Sequence, residues 1–315
     1  MITAALLLAY AACVGVLGPL ASRRSAWHDR APMLAIVSYL TAAWSVIAAT
    51  ALAGLTLAVH ATALGGGLSY LVGACVQRLR DTYATPGGTS LAVGGLGLAG
   101  LVLLCTVATG AARLRAGRRA ALRHAETARL VGQEMAELEA TVVDDPRPAA
   151  YCLPGPQPTI VLTTGTLQLL DDAQLAAVLA HERAHLASRH HLLMTMARTG
   201  RMVFPFIPLM READTQVARL AELHADDAAR AGDSGPLATA LVILATGGSV
   251  APAAMAAAAT DVLQRVTRLL RPALPLGPRR RLLLRAAVLA LAISPVLLAL
   301  LPALLALALG PVPAA

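Results

Sequence analysis

The chain has 315 residues, of which 57% are hydrophobic, 14% charged and only 3% aromatic, and its formal net charge is +8. Soluble domains carry about 25% charged residues, so this composition argues against an ordinary soluble protein and favours aliphatic membrane helices. All 26 basic residues are Arg, which is typical of a GC-rich bacterial genome. The positive charge therefore does not by itself indicate nucleic-acid binding.

Four apolar stretches are long enough to cross a hydrocarbon core, which requires about 20 helical residues. They are residues 2–21, 33–60, 88–112 and 286–310. The first is followed by Arg23 and Arg24 and lacks a basic segment before it. We interpret it as a retained span and not as a cleaved signal peptide.

Arginines cluster in three of the segments next to these spans, at 23–30, 113–123 and 279–285, whereas the loop 61–87 has only Arg78 and Arg80. Positively charged loops stay in the cytoplasm. We therefore expect both termini outside, a long cytoplasmic segment, and a location in a bacterial cytoplasmic membrane with the lipid bilayer as a partner.

The spans divide the chain into three parts. We expect an N-terminal membrane region with three helices at 1–112, a cytoplasmic domain at 113–285, and a C-terminal span with a short tail at 286–315. The predicted fold class is a mainly α integral membrane protein with about four transmembrane helices and a cytoplasmic α+β domain.

The predicted cytoplasmic domain begins with a charged segment, 113–140, whose Leu residues recur every two turns and predict an amphipathic helix that leaves the membrane. Asp-Pro and Pro-Gly turns then separate three β-prone runs, at 141–143, 149–153 and 159–163. These runs predict a small, hairpin-based sheet.

Helices are predicted after this sheet. Asp171 or Asp172 caps the first helix, with Gln174 as the capping-box partner of Asp171. The apolar stretch 202–210 is too short to span and is broken by two prolines, so it lies at the membrane interface or forms a re-entrant corner. A polar helix follows at 211–231.

The first of these helices contains the sequence LAAVLAHERAHLASRHH, with a His-Glu-x-x-His motif. His181 and His185 are four residues apart and face the same way on a helix, so both imidazoles can bind one Zn²⁺. Glu182 is rotated by about 100° from His181 and can reach a water on the metal without binding the metal. Zinc lowers the pKa of that water toward about 7, and we predict Glu182 as the base that takes its proton.

A catalytic zinc site needs a third protein ligand, and the sequence RLAELHADDAAR offers one. Glu222 as this ligand leaves a fourth position open for water. Asp226 lies one turn further on the same helix face and can hydrogen-bond a ligating imidazole. His224 is about 200° from Glu222 around the helix and ranks below it.

Several other polar residues receive weaker interpretations. His190 and His191 lie about 140° and 240° from His185 on a continuous helix, so we expect surface or interface residues. Tyr151 is able to stabilise an oxyanion, but its place in a predicted strand favours packing. Cys152 is expected to be an inert buried thiol. No residue is assigned to stabilise the transition state.

At this point the sequence resembles a known family. The stretch from AYCLPG to LASRH, together with RLAELHADDAAR and DVLQRVTRLL, is similar to membrane metallopeptidases of the BlaR/MecR type, peptidase family M56, which act as antirepressors in β-lactam resistance. More distant relatives are the gluzincins of the HtpX and Ste24 group. The resemblance covers residues 110 to 310.

This resemblance implies a gluzincin-like zinc peptidase domain in a cytoplasmic loop between spans three and four. It implies that the segment PTIVLTT, residues 158–164, is an edge strand that pairs with extended substrate. It also implies the roles of the site residues. The zinc ligands are His181, His185 and Glu222. Glu182 is the general base, and Asp226 is a supporting acidic residue.

The predicted function is that of a membrane-embedded zinc-dependent endopeptidase that cleaves a cytoplasmic repressor of the BlaI/MecI winged-helix type. The chain ends five residues after Gly310, so we expect no attached penicillin-binding sensor domain. The alternatives are an HtpX-like quality-control protease and a non-catalytic membrane signalling or scaffold protein with structural zinc. We expect no direct nucleic-acid binding. The activating signal, the cleavage site and assembly into a homo-oligomer stay open.

Overall fold

The computed structural model describes residues 1–23, 27–58, 88–230, 233–247, 252–271 and 275–309. Within these residues the chain forms ten α-helices, one short 3-10 helix and four strands. The helices outside the central segment are α1 (Ile2–Arg23), the 3-10 helix His28–Arg30, α2 (Pro32–Ala58), α3 (Gly88–Val131) and α10 (Pro278–Leu309). The central segment contains β1 (Gly132–Met135), β2 (Ala140–Val143), β3 (Ala150–Leu153), β4 (Thr159–Thr163), α4 (Thr164–Leu169), α5 (Asp172–Ala187), α6 (His190–Val203), α7 (Pro208–Ala229), α8 (Gly235–Gly247) and α9 (Pro252–Leu269).

Four helices, α1, α2, α3 and α10, contain stretches that are long and apolar enough to cross a membrane, by length and composition. Each predicted span therefore lies on a helix, although residues 59, 60 and 310 fall outside the described residues. α2 is the central one and packs against α1, α3, α7 and α10. It approaches α3 closely at Gly54 and Gly95, where a Cβ on either residue would overlap the backbone of the other helix. Small residues permit such close packing between membrane helices.

Helix α3 joins the third apolar stretch to the charged segment that follows it. Its 44 residues form one continuous helix, about 66 Å long at 1.5 Å per residue. The predicted boundary between 112 and 113 thus lies inside a helix. The prediction that this helix continues to 140 was wrong, because the chain turns at Gly132 and residues 132–135 form strand β1.

The four strands form one sheet in the order β1-β2-β4-β3. The pairs β1 with β2 and β3 with β4 are antiparallel, whereas β2 and β4 are parallel. The three predicted strands are confirmed, and two hairpins are present, but β1 was missed because its residues are largely exposed. The expectation that 158–164 is an edge strand was wrong: β4 pairs on both sides, and β3 lies at the edge.

Helix α5 packs on this sheet and also contacts α7 and α8. Its first turn has the predicted capping box: Gln174 N–H donates to Asp171 Oδ1 at 2.8 Å, and Asp171 N–H donates to Gln174 Oε1 at 3.2 Å. Leu179 of α5 is buried with Ile160 and Leu162 of β4. This packing fixes the helix relative to the sheet.

Helix α7 connects the central segment to the candidate spans. The chain turns at 204–207, and Pro208 begins α7, a position that tolerates the missing N–H of proline. Leu209, Met210 and Val217 of α7 are buried in one apolar cluster with Ile36 and Val46 of α2. The same core therefore holds α7 and a candidate span. Whether 202–210 is interfacial or re-entrant stays a prediction.

Candidate metal centre

Two histidines of α5 and one glutamate of α7 converge on one point. His181 Nε2 and His185 Nε2 are 3.1 Å apart. Glu222 Oε2 lies 3.6 Å from the first nitrogen, and Glu222 Oε1 lies 3.5 Å from the second. The structure thus brings together all three predicted ligands as a group that could hold a metal ion.

The spacing of these atoms fits zinc. Zn²⁺ binds imidazole nitrogen and carboxylate oxygen at about 2.1 Å, so tetrahedral ligand atoms lie about 3.4 Å from each other. The observed distances of 3.1, 3.6 and 3.5 Å lie around this value. Two His and one Glu are also a known donor set of catalytic zinc, and three protein ligands leave one position open.

Asp226 lies behind His181, as the sequence predicted. It is completely buried, and its Oδ1 is 3.1 Å from His181 Nδ1. This is an ion-pair distance, although the ring N–H direction is not aligned for a hydrogen bond. Burial lowers the pKa of His181, but Asp226 and Glu222 outweigh burial and raise this pKa to about 9.

Arg265 of α9 is a site residue to which the sequence predictions assigned no role. Its Nε and Nη2 donate to both carboxylate oxygens of Asp226, at 2.9 and 2.6 Å. Its Nη1 lies 3.1 Å from Glu222 Oε2. A buried carboxylate is stable only when it is paired, so Arg265 balances Asp226 and also holds the third ligand in place.

Glu182 follows His181 on α5 and is partly buried. Burial raises the pKa of its carboxyl, and the positive charge on His181 partly offsets this effect. Its carboxyl interacts with the Cys152 thiol of β3, whose pKa is raised to about 12, first by burial and then by the charge of Glu182. A thiol with such a pKa is not nucleophilic at neutral pH, as expected for an inert Cys152.

The site lies beside a large cleft. A cavity of about 1250 Å³ is lined by Glu222 and Arg265 together with the end of α7, the second half of α9 and the segment around Asp29. An extended peptide therefore has room to reach the group of predicted ligands.

Residues 118–246 match the model of peptidase family M48. This segment contains the three predicted ligands, Glu182 and Asp226, whereas Arg265 lies beyond it. The chain is also similar to a protease HtpX homolog of Acidiphilium cryptum (strain JF-5), with 43% identity over 61 residues. The aligned stretch covers 18% of this chain and 21% of that relative. No solved structure gives a significant match.

Over residues 118–246 the chain is thus similar to M48 metallopeptidases, and a shorter stretch is similar to a protease of the HtpX group. These similarities favour the HtpX-like group over the BlaR/MecR type that the sequence motifs first suggested. M48 peptidases are typically zinc-dependent, in agreement with the donor set described above.

His190 corrects one interpretation of the sequence. It is not a surface residue but is completely buried, with Nδ1 2.9 Å from His185 Nδ1. The prediction assumed a continuous helix, but α5 ends at Ala187 and Arg189 has left-handed backbone angles, φ 50° and ψ 42°. This turn starts α6 in a new direction and returns His190 to His185.

His224 also has a place that the helical wheel did not predict. It is turned away from the ligand group, but its Nδ1 lies 3.1 Å from His190 Nε2. Burial, and then the neighbouring His185 and His224, lower the pKa of His190 to about 4. Burial likewise lowers the pKa of His185, although Glu222 opposes this effect. His190 is therefore neutral at physiological pH.

Tyr151 does not pack as expected. It is 42% exposed on the edge strand β3, and strand alternation directs it to the face opposite Cys152. Since Cys152 is on the side of Glu182, Tyr151 is not placed to stabilise an oxyanion at the ligand group.

Proposed function

We propose that this chain is a membrane-embedded zinc-dependent endopeptidase that acts on membrane proteins in the manner of an HtpX-like quality-control protease. The observation that carries the proposal is the convergence of His181, His185 and Glu222 at zinc-ligand spacing. The match to peptidase family M48 and the similarity to an HtpX homolog support it.

The chemistry follows from the side chains around the ligand group. Zinc bound there supplies Lewis acidity, which acidifies water and polarises a peptide carbonyl. Glu182 accepts the proton of the attacking water and returns it to the leaving amine nitrogen. Its raised pKa favours the second step, because a carboxyl group that holds a proton more readily is a better general acid near neutral pH.

Strand β3 supplies a surface on which substrate can be held. It is the edge of the sheet nearest Glu182, and among the described strands it pairs only with β4. An extended substrate segment can add to this edge through backbone hydrogen bonds. The contact between Cys152 and Glu182 brings this edge directly to the base. The role first expected for 158–164 therefore passes to 150–153.

The nature of the substrate is the finer part of the proposal. Helix α7 carries Glu222 and shares its apolar core with the candidate span α2, which favours substrates that are themselves in the membrane. Cleavage of a winged-helix repressor of the BlaI/MecI type rests on the motif resemblance alone. The cytoplasmic position of the central segment rests on the distribution of Arg, and protease accessibility in inside-out vesicles would test it.

The variant Glu182→Gln tests the proposal. We expect it to bind about one zinc per chain, as does the unmodified protein, and to lose proteolysis, because the base is gone while the ligands stay. Glu126→Gln, on the exposed charged half of α3, is the matched control and should retain activity. Proteolysis that is unchanged in Glu182→Gln would contradict the mechanism.

The same inactive variant also separates the alternatives when it is used to trap substrates in membranes. Several trapped membrane proteins support quality control, whereas one dominant winged-helix protein supports the repressor hypothesis. A zinc-bound protein that traps nothing and whose unmodified form cleaves nothing supports the scaffold with structural zinc.

A further inference from the structure

Three histidine rings stand in a row behind the ligand group, and we call His185, His190 and His224 the imidazole chain. Neighbouring rings meet edge to face, with centroids 4.7 and 5.2 Å apart. His185 Nδ1 lies 2.9 Å from His190 Nδ1, and His190 Nε2 lies 3.1 Å from His224 Nδ1. Both nitrogens of the completely buried His190 are therefore engaged by other imidazoles.

The hydrogens of this chain have to alternate, because a neutral imidazole has one N–H donor and one acceptor nitrogen. When His185 binds metal through Nε2, its Nδ1 carries the hydrogen and donates it to His190 Nδ1. His190 then carries its hydrogen on Nε2 and donates it to His224 Nδ1. A metal on His185 thus selects one tautomer for each ring.

We propose that His190 is a positioning residue of the metal centre. It accepts a hydrogen bond from His185 Nδ1 and so fixes the tautomer and the ring plane in which His185 presents Nε2. His224 supports His190 in the same way from α7. The inference rests on the proposed function, since it takes His181, His185 and Glu222 to bind zinc. An acceptor behind a ligating imidazole orients the ring and increases its basicity.

The backbone and the burial of His190 argue for this role. A continuous helix would place residue 190 about 140° away from His185, and the left-handed turn at Arg189 is what brings it back. Left-handed angles are uncommon for residues other than glycine. Packing alone would be better satisfied by an apolar side chain, because burial of two polar nitrogens costs free energy unless both are hydrogen-bonded.

The far end of the chain reaches a second cavity. His224 lines a space of about 490 Å³ together with Arg281 and Arg285 of α10 and the first turns of α2. With its Nδ1 engaged by His190, His224 has Nε2 as its remaining donor. The imidazole chain therefore connects a ligand of the proposed zinc site to a space between two candidate membrane spans.

The test measures zinc affinity of the full chain in detergent, by competition with a chelator, and the visible spectrum of the Co²⁺-substituted protein. His190→Leu should bind zinc about tenfold to a hundredfold more weakly and should change the cobalt spectrum. His190→Asn keeps an acceptor oxygen close to the position of Nδ1 and should retain most of the affinity. His191→Leu, one residue further along α6, is the matched control and should match the unmodified protein.

A double variant tests the order of the chain. Because His224 acts through His190, His190→Leu combined with His224→Leu should lose no more zinc affinity than His190→Leu alone. Losses that add fully would contradict a connected chain and would overturn the part of the inference that concerns His224.

Two results would overturn the role of His190. One is an unchanged zinc affinity and cobalt spectrum in His190→Leu. The other is an equal loss of affinity in His190→Leu and His190→Asn together with a lower melting temperature of both metal-free proteins, which would indicate a purely structural residue. None of these measurements uses proteolysis. A protein that binds zinc but cleaves nothing would refute the proposed function and leave the positioning role standing, whereas a protein that binds no zinc would refute both.

Discussion

The two histidines of the motif contact different kinds of partner on the side away from the proposed metal. His181 faces a charged pair, the completely buried Asp226 and the Arg265 that binds both of its oxygens. His185 faces the neutral ring of His190. The pKa of His181 is accordingly raised, whereas that of His185 is lowered. The proposed metal ion would thus have one histidine ligand with charged neighbours, His181, and one with an uncharged neighbour, His185.

This difference shows that equal positions in a motif do not imply equal environments. Charged partners hold a ligand strongly, but they depend on each other, because a buried charge that loses its partner is costly. A neutral imidazole orients a ligand through a directional hydrogen bond and does not need a charged partner of its own. The charged side should therefore respond to substitution and to pH much more than the neutral side.

The largest effect is expected for Asp226→Asn. This change leaves the partly buried Arg265 with Glu222 as its remaining ion-pair partner among the described residues, and breaking a buried ion pair costs about 3 kcal/mol of the free energy of unfolding. Zinc affinity should also fall, because His181 loses its support. Thermal and chemical unfolding of the metal-free protein measures the first effect.

Asp227→Asn is the control for this change. Asp227 is next to Asp226 on α7 and pairs with Arg268 at 2.7 Å, but its side chain is 35% exposed. Exposed pairs contribute about 1 kcal/mol or less, so Asp227→Asn should differ little from the unmodified protein. Equal destabilisation by both variants would remove the distinction drawn for the charged side.

A pH profile should show the next largest effect. The pKa of His181 in the folded chain is about 9, above its ordinary value of 6.5, so the protonated ring stabilises the metal-free fold below pH 6.5. This contribution is lost as pH rises to about 9, and zinc, which competes with the same proton, should bind more tightly over this interval. His185, with its lowered pKa, is neutral across this range.

The melting temperature of the metal-free protein and its zinc affinity, measured between pH 6 and 10, check the profile. Asp226→Asn should move the transition to lower pH, since it removes a group that raises the pKa of His181. A melting temperature that rises with pH across this interval in the unmodified protein would be the opposite of the expected sign.

The smallest effect is expected on the neutral side, at Ser188→Ala. Ser188 Oγ lies 3.5 Å from His224 Nδ1, at the limit of a hydrogen bond, while His190 Nε2 lies closer to that nitrogen, at 3.1 Å. Removal of the hydroxyl should leave zinc affinity within about twofold, less than the tenfold change typical of a lost partner behind a ligand. A larger loss would indicate that Ser188 and not His190 holds His224.

The side-chain positions that the sequence predicted are those that depend on one helix at a time. The four-residue spacings from His181 to His185 and from Glu222 to Asp226 each place two side chains on one face, and the capping box at Asp171 marks the start of α5. Apolar length likewise located the candidate spans.

The features that the sequence did not predict depend on a break between two helices and on contacts between residues that are far apart in sequence. Arg189 adopts left-handed backbone angles, although such angles are usually found at glycine or asparagine. The helix break therefore has no signal in the sequence, and the assumption of a continuous helix placed His190 wrongly. Arg265 meets Asp226 across 39 positions of sequence, a contact that no local period encodes. The order of the strands, with β3 and not β4 at the edge, is also set by long-range pairing.

Helix α3 has a mechanical consequence. Because it is unbroken from the apolar stretch to β1, a change in the tilt of its longer apolar part, residues 88–112, also moves its shorter charged part, residues 113–131, which contacts the sheet. The segment beyond residue 112 is about 28 Å long, so a change of 10° in tilt displaces its end by about 5 Å. Because a spanning helix that is longer than the local bilayer thickness accommodates by tilting, bilayer thickness would then influence the position of β3, the proposed substrate-binding edge.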